Sequence, residues 1–236
     1  MHVAADAEVG PARAPLSRDR VLRAAVRIAD DGGLGALTMR RLAEDLGAEA
    51  MSLYYHVANK DEVLDGIADA VGREINEVVD ALDVPSAGPQ WKQAVRRRIL
   101  AAREVLLRHP WVPAVFETRA AMSPEILRYH DRLLGLMRDG GFSYDLAHHA
   151  LHALGSRALG FSQELFTPAA GGGGAGDGDE LADLAERLPN LAGLLEHISH
   201  DDPGSTLGWC DDQEEFEFGL DLLLDGLDRL RERSSS

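Results

Sequence analysis

The residues best suited to polar chemistry are concentrated in the segment LGAEAMSLYYHVANKDEVL, residues 46–64. It places Ser52, Tyr54, Tyr55 and His56 within five positions, in a chain of which only 6% of the residues are aromatic. Hydroxyl and imidazole groups can bond phosphate oxygens, and short polar side chains at a helix start can reach the edges of bases. An ordinary core cluster would use the same aromatic residues, so their types alone leave both interpretations open.

A second concentration of polar groups comprises Asp145, His148, His149 and His152. His148 and His152 have the i, i+4 spacing of a helical metal pair. The glutamate of the HExxH motif is absent, because the residue after His148 is another histidine. Histidines that line a pocket or a dimer interface are the favoured explanation, so we expect no metal, no cofactor and no catalytic residue. A metal-dependent helical enzyme that uses His148 and His152 is kept as the alternative.

Composition and charge limit the possible partners. The chain has 236 residues, 45% of them hydrophobic, with a single cysteine, and its first fifteen residues contain no apolar run. We therefore expect a globular, cytoplasmic protein without an intrachain disulfide and without a membrane anchor. The net charge is −16, but residues 1–61 carry 8 Lys and Arg against 9 Asp and Glu. Because the acidity lies almost wholly outside this quarter, the N-terminal residues could still present a basic face to nucleic acid.

Apolar residues recur at intervals of three and four along nearly the whole chain, which predicts an all-α fold. Ser17 is predicted to cap the first helix, which ends at Gly32 and Gly33, and Thr38 to cap the second. Asn59 followed by Glu62 resembles a capping box. Further helices are predicted at 39–46, 49–56, 60–82, 90–108, 111–119, 124–139, 144–166, 180–199 and 212–232. The Gly-rich tract 169–178 is predicted to be a flexible loop.

Two short helices joined by a glycine turn, with one helix before them and a long helix after them, are typical of a helix-turn-helix DNA reader. We therefore predict a disordered arm at 1–16 and an N-terminal three-helix DNA-binding domain at 17–66. A larger C-terminal helical domain for ligand binding and dimerisation is predicted at 67–233. The acidic residues 177–236, with 17 Asp and Glu against 4 Lys and Arg, need no role beyond solubility.

Residues 17–66 closely resemble the N-terminal domain of the tetracycline-repressor (TetR) family of transcriptional regulators. The stretch SRDRVLRAAVRIADDGGLGALTMRRLAEDLGAEAMSLYYHVANKDEVLDGI contains the G-x-x-x-L-T-x-R-x-L-A-x-x-L-G, S-L-Y-Y-H and N-K-D-x-L patterns of that family. The resemblance implies that Thr38 and Arg40 contact the DNA backbone, Arg40 sometimes also a base. It implies that Glu49, Ala50, Met51 and Ser52 face the bases. It places Tyr54, Tyr55, His56 and Lys60 at phosphate-contacting positions.

The sequence departs from the tetracycline repressor itself at Ala50 and Met51, where that protein has a glutamine and a proline. Its operator therefore need not be the tetracycline one. The stretch 114–119, AVFETR, offers no evident counterpart of the histidine that ligates the drug-bound magnesium in that repressor. The resemblance thus gives no reason to expect a magnesium-tetracycline inducer.

The rest of the chain is similar to the tetracycline-repressor subgroup in helix order and in the stretch RDGGFSYDLAHHALHALGSRALGF, residues 138–161. In that subgroup two long helices from each protomer form the dimer interface, here 144–166 and 212–232. Their apolar stripes suit such an interface, but packing within one protomer would give the same stripes. The stripes are Leu146, Ala150, Leu154 and Ala158 on one helix and Phe216, Leu220, Leu223 and Leu227 on the other. A symmetric reader of two half-sites favours a homodimer.

A small-molecule effector that is largely apolar is predicted to bind in the C-terminal domain. The candidate pocket residues are Trp111, Phe116, Met122, Leu133, Met137, His149, His152, Phe161 and Leu165, and any of them can equally be plain core. The resulting hypothesis is a ligand-responsive repressor that binds a palindromic operator as a homodimer and is released by the small molecule. A ligand-binding module without DNA binding is a further alternative.

Overall fold

The computed structural model describes residues 15–83, 88–119, 122–159, 186–190 and 212–234, and these are helical with no β-strand among them. The predicted all-α class is confirmed. The helices are α1 Arg18–Ala36, α2 Met39–Leu46, α3 Ala50–Leu53, α4 Lys60–Asp80, α5 Trp91–Arg108, α6 Val112–Thr118, α7 Pro124–Asp139, α8 Tyr144–Leu159 and α9 Asp212–Ser234. None of the described helices is both long enough and apolar enough to cross a membrane.

Helix α1 begins as the sequence predicts but ends later. The Ser17 hydroxyl accepts a hydrogen bond from the Arg20 backbone N–H at 3.3 Å, so Ser17 is the N-cap. Gly33 has φ 70° and ψ 177°, which interrupts the helical backbone, and one further turn follows to Ala36. A residue with a side chain rarely adopts such a positive φ, so glycine is what permits this kink.

Helix α3 is shorter than predicted. The sequence predicts a helix over 49–56, whereas the helix proper comprises Ala50–Leu53 and the next three residues form a turn. The backbone N–H groups of His56 and Val57 both bond to the Leu53 carbonyl, at 2.8 and 3.0 Å, which closes the helix. Val57 is then buried in the core, and this directs the chain away from the helix axis.

Packing divides the chain into two compact units. The first unit comprises Met1–Pro85 and Arg97–Gly135, and the second comprises Ser86–Arg96 and Leu136–Ser236. The predicted functional boundary between residues 66 and 67 lies inside α4, and the assignment of functions to domains stays a prediction. The predicted helix 180–199 falls mostly outside the described residues. The loop 169–178 falls entirely outside them.

The first unit has a continuous apolar core. Helix α1 packs against α2 and α4, α2 packs against α3, and α4 packs against α6. The largest fully buried side chains include Leu37, Leu42, Leu53 and Ile67, each at most 1% exposed. Burying a side chain of this size stabilises the fold by roughly 1.5–3 kcal/mol relative to exposure, before the entropy cost of ordering the chain.

The second unit is built on the pairing of α8 with α9. Trp91 is buried edge-on against Phe142, with ring centroids 4.5 Å apart, and its indole N–H donates to Asp228 at 3.3 Å. Arg96 binds Asp221 and Glu217 on α9. The hydrogen bond to Asp221 is the main cause of a raised Arg96 pKa. These contacts attach the start of α5 to α9.

Most residues of the two predicted interface stripes pack within a single chain. Ala150 and Leu154 of α8 and Phe216, Leu220 and Leu227 of α9 are at most 7% exposed. Packing within one protomer, which the periodicity left open, therefore accounts for these positions. Leu146 and Leu223 are half-buried, and the side chain of Ala158 lies outside the described residues.

Candidate nucleic-acid interface

Helix α2 is terminated at both ends by residues that the sequence identifies. The Thr38 hydroxyl accepts from the Arg41 N–H at 3.1 Å and caps the first turn. Gly47 adopts φ 60° and ψ 40°, the left-handed conformation that favours glycine at a helix end. The backbone N–H of Ala48 returns to the Ala43 carbonyl at 3.0 Å. This turn sets the angle at which α3 leaves α2.

The exposed surface of α3 carries the aromatic and apolar side chains that a core cluster would have buried. Tyr55 is 89% exposed, Met51 71% and Tyr54 46%, whereas Leu53 on the same short segment is 0% exposed. A core role for the two tyrosines is therefore excluded. Neighbouring exposed apolar and aromatic side chains of this kind are typical of a surface that binds a partner.

The other predicted DNA-contacting residues lie on the same continuous part of the chain, from the start of α2 to the start of α4. The exposed ones are Thr38, Arg40, Glu49, Ala50 and Lys60, and the half-buried ones are Ser52 and His56. Their contacts with DNA stay a prediction, because no nucleic acid is present.

The predicted backbone-binding cation Arg40 is accessible to a new partner. Its guanidinium Nε donates to Glu44 at 2.9 Å, but the side chain remains 90% exposed. An exposed ion pair between residues i and i+4 is worth only about 0.3–0.5 kcal/mol. A phosphate can therefore displace Glu44 at little cost.

The start of α4 is fixed by a reciprocal pair of caps. The Asn59 side chain accepts from the Glu62 N–H at 2.8 Å, and the Glu62 carboxylate accepts from the Ala58 N–H at 2.7 Å. The predicted capping box is thus present with its second bond shifted by one residue. The backbone hydrogen bond from Ala58 is the largest cause of the lowered Glu62 pKa.

The end of α6 is tied to the first turns of α4. Arg119, the C-cap of α6, lies 3.2 Å from Asp61 and 3.4 Å from Asp65. The hydrogen bonds that it donates to Asp61 are the largest cause of the raised Arg119 pKa. Because α4 begins only four residues after His56, this contact joins α6 to the end of the helix-turn-helix segment.

The predicted ligand-binding residues lie in several environments. Trp111, Leu133 and Met137 are buried, Phe116 is half-buried, and Met122 is 60% exposed. His149 and His152 are exposed, and Phe161 and Leu165 lie outside the described residues. A groove of about 380 Å³ lies along α1 and α4, but its lining of six charged and five uncharged residues includes none of the predicted ones. The ligand site stays a prediction.

The three histidines of α8 lie close together, and the ring of His148 is 5.6 Å from that of His149, centroid to centroid. The rings of His148 and His152 are 4.6 Å apart, centroid to centroid, and both side chains are exposed. In the described part of the chain no three His, Cys, Asp or Glu residues are arranged to hold a metal.

A polar cluster between α1, α4 and the α5–α6 turn was not predicted from the sequence. His109, 7% exposed, lies between Asp30 and Glu74, and the Trp111 indole also donates to Asp30. His109 is 35 positions from Glu74 and 79 from Asp30, so no local spacing links it to either carboxylate. The only signal in the sequence was a histidine followed by a proline at the end of a predicted helix.

Two family models match the chain. Residues 21–67 match the model described as bacterial regulatory proteins of the tetR family, and residues 84–231 match the tetracyclin repressor-like C-terminal domain. The first match covers the helix-turn-helix segment, and the second covers more than half of the chain.

Individual proteins agree with these models. The transcriptional repressor DrrR1 of Streptomyces coeruleorubidus is 32% identical, over 93% of this chain and 81% of its own length. A transcriptional regulator of Saccharopolyspora erythraea is 37% identical over 127 residues, 54% of this chain, which thus spans about half of that relative. The crystal structure of ActR from Streptomyces coelicolor in complex with actinorhodin has a TM-score of 0.66 and 30% identity, and covers 91% of this chain and 96% of that one.

Proposed function

Because the chain belongs to the TetR family of transcriptional regulators, we propose that it is a homodimeric repressor that binds a palindromic operator and is released by a small molecule. The observation that carries this proposal is the exposure of Met51 and Tyr55 on a segment whose Leu53 is fully buried. That arrangement anchors α3 to the first unit while it leaves the outer side chains free to enter a groove of DNA.

The phosphate contacts would come from the residues that flank α3. Arg40 before it and Lys60 after it supply positive charge, and the hydroxyl groups of Tyr54 and Tyr55 supply neutral donors. Lys60 lies 3.5 Å from the Leu34 carbonyl, which holds its ammonium group near the end of α1. Along the chain, one cation therefore precedes the proposed base-reading helix and the other follows it.

Dimerisation is proposed through apolar residues that the single chain leaves uncovered. On α9, Phe218 is 64% exposed and Leu222 is 58% exposed, one helical turn apart. They lie beside Leu220 and Leu224, which are buried within the chain. A second copy that covers Phe218 and Leu222 would bring two reading segments together, as a palindrome requires.

The effector is proposed to act through α6 and α4. A ligand that displaces α6 would disturb the contacts of Arg119 with Asp61 and Asp65 and so shift the start of α4. The two reading segments would then no longer match half-sites about one helical turn apart. By linkage, operator DNA must weaken effector binding by the same factor.

The chemical class of the effector is proposed from the residues and from the relatives. Leu133, Met137 and Phe116 are apolar, and ActR was solved with actinorhodin bound. We expect a largely apolar organic molecule other than the magnesium-tetracycline complex.

Selection from a random pool of duplexes tests the proposal. The wild-type protein is compared with the variant Arg40→Ala/Tyr54→Ala. The matched control, Arg73→Ala/Tyr144→Ala, also removes an exposed arginine of an i, i+4 ion pair and an exposed tyrosine. We expect the wild type and the control to enrich one palindrome, and the Arg40/Tyr54 variant to lose it.

The outcomes are distinct. Enrichment of a palindrome by all three proteins would show that the assigned segment does not bind DNA. Absence of any enriched sequence, even at low salt, would contradict the repressor proposal and favour a ligand-binding module without DNA binding.

A further inference from the structure

His109 is held between two carboxylates from two different helices. Its Nδ1 is 2.7 Å from Asp30 Oδ1 on α1, and its Nε2 is 3.2 Å from Glu74 Oε2 on α4. The ring is 9% exposed and follows directly after the last residue of α5. Pro110 comes next and restricts the backbone at His109.

These contacts require a particular protonation state. An ionised carboxylate only accepts hydrogen bonds, and a neutral imidazole has one donor nitrogen and one acceptor nitrogen. Asp30 Oδ1 already receives a second bond, at 2.7 Å, from the Trp111 indole N–H, as an ionised oxygen does readily. Only the imidazolium form of His109 can donate to Asp30 and Glu74 together.

The groups around His109 are themselves mostly charged. Partial burial by itself would raise the pKa of Glu74, but hydrogen bonds from Arg108 and His109 outweigh it, and the pKa is lowered. The C-terminal end of α5 places partial negative charge next to the ring. Two carboxylates face His109 directly, Asp30 from α1 and Glu74 from α4. Arg108 from α5 forms an ion pair with Glu74, and the uncharged Trp111 lies on the α6 side.

Helix α1 is the element through which this cluster would reach the DNA-reading segment. It packs against α2 and α4, and α2 carries α3. We propose that imidazolium His109 is a positioning residue for DNA binding, which fastens α1 to α4 and to the α5–α6 turn, so that operator affinity falls when His109 loses its proton. The inference rests on the proposed function, and it adds proton activity as a second input besides the effector.

The sign of the effect follows from the geometry. The charged ring bridges both carboxylates at low pH, and a neutral ring turns an unshared electron pair toward one of them as the pH rises. Breaking a buried hydrogen bond in this way is costly because water cannot replace the donor. Operator binding is therefore strongest at the acidic end of the range in which the fold is stable.

The first experiment measures affinity for the selected palindromic duplex from about pH 5.5 to pH 8 at constant salt, within the range in which histidine side chains change charge. Wild type, His109→Gln and the control His148→Gln are compared. We expect the wild-type and control affinities to fall by about tenfold, a typical coupling between sites. We expect a weaker and flatter profile for His109→Gln.

Asp30→Asn separates positioning from general destabilisation. This variant replaces the Asp30 carboxylate by a neutral amide. A neutral His109 can then donate to Glu74, its remaining carboxylate partner, so the variant should also lose the pH response. The double variant Asp30→Asn/His109→Gln should bind the duplex no more weakly than the weaker-binding single variant, since the two residues act as a unit. Parallel pH profiles for wild type and His109→Gln would overturn the inference.

A second measurement needs no DNA. Nitrogen-15 NMR of the imidazole rings, assigned with His109→Gln, should show both His109 nitrogens protonated at about pH 6. Amide hydrogen exchange in α1 should be faster in His109→Gln than in His148→Gln. A neutral ring, or unchanged exchange, would overturn the inference. If the duplex pool yields no preferred sequence, the repressor proposal fails, and these two results still decide whether His109 fastens α1.

Discussion

Met51 and Tyr55 offer different chemistry to a DNA duplex, although both are exposed. The Tyr55 hydroxyl suits a phosphate, whose position is the same for every sequence, whereas Met51 at the start of α3 suits a base edge. A thioether is a weak acceptor and no donor, so Met51 would discriminate bases by apolar contact with a thymine methyl group.

Two substitutions separate these roles. Tyr55→Phe removes one hydroxyl and should weaken binding to the selected palindrome and to scrambled duplexes by the same factor. Met51→Gln adds a donor and an acceptor and should change the preferred base at one position of each half-site, at about 1–3 kcal/mol per base. Quantitative binding to a library of single-base operator variants measures both effects. A uniform loss from Met51→Gln would contradict its base-reading role.

Local patterns predicted the candidate interface better than the buried cluster around His109. Thr38, Gly47 and Asn59 act within three or four residues, so their caps can be read directly from the sequence. Asp30 and His109 are brought together only by the packing of α1 on the α5–α6 turn. A periodic pattern gives the face of a helix but not the residue it meets, which is why this cluster was missed.

At the level of helices, α1 and α4 approach each other closely at Gly66. A methyl group on Gly66 would lie 2.5 Å from Leu22 Cδ2 and 2.9 Å from its Cδ1. Leu22 is itself 8% exposed, so its methyl groups would have to shift within the core or into the neighbouring groove. Glycine at this position therefore sets the distance between the two helices.

Gly66→Ala should lower the free energy of unfolding by about 1–3 kcal/mol, the usual cost of overpacking a core. The control Gly135→Ala, on α7, meets nothing within 4 Å and should be neutral or stabilising by about 0.5–1 kcal/mol because alanine favours helix. Urea unfolding followed by circular dichroism measures both changes. Equal stability of the two variants would show that α1 and α4 can separate without cost.

The bounds of the helices show how much of the fold can be predicted from the sequence. The predicted ranges for α2 and α7 match the structure, because caps, prolines and glycines mark their ends. Helix α3 ended early because the burial of Val57 outweighed the helical periodicity of the residues before it. Tertiary packing, which no local window contains, decided that boundary.

For the molecule as a whole, several carboxylates have a lowered pKa. Those of Glu62, Glu74 and Glu217 lie below the ordinary 4.5, and that of Asp225 below 3.8. Glu217 is lowered chiefly by its hydrogen bond from Gln213, and Asp225 by its bond from Lys92. The folded chain therefore binds fewer protons than the unfolded chain in mildly acidic solution.

The stabilisation that these lowered pKa values contribute is expected to be fully present above about pH 5. It is lost as the pH falls through and below 4.5, because the unfolded state then takes up protons first. Urea midpoints at a series of pH values measure this loss. Glu74→Gln should be less stable than wild type near neutrality, and the two curves should converge in acid. Glu49→Gln, which removes a carboxylate that makes no side-chain cap, should follow the wild-type curve. A Glu74→Gln curve parallel to wild type down to the acid limit would contradict the assignment.

The exposure of two side chains on α3, which is held in place by a third, has an evolutionary consequence. Ala50 and Met51 are exposed on a helix whose attachment depends on Leu53, so both can change without loss of the fold. After a gene duplication, one copy could acquire a new set of target promoters through substitutions at these two positions. Its fold would be inherited unchanged, together with the proposed dimer contact and the proposed effector site. In such a lineage, the rate at which operator preference changes would then depend on mutation at these two codons and not on the stability of the fold.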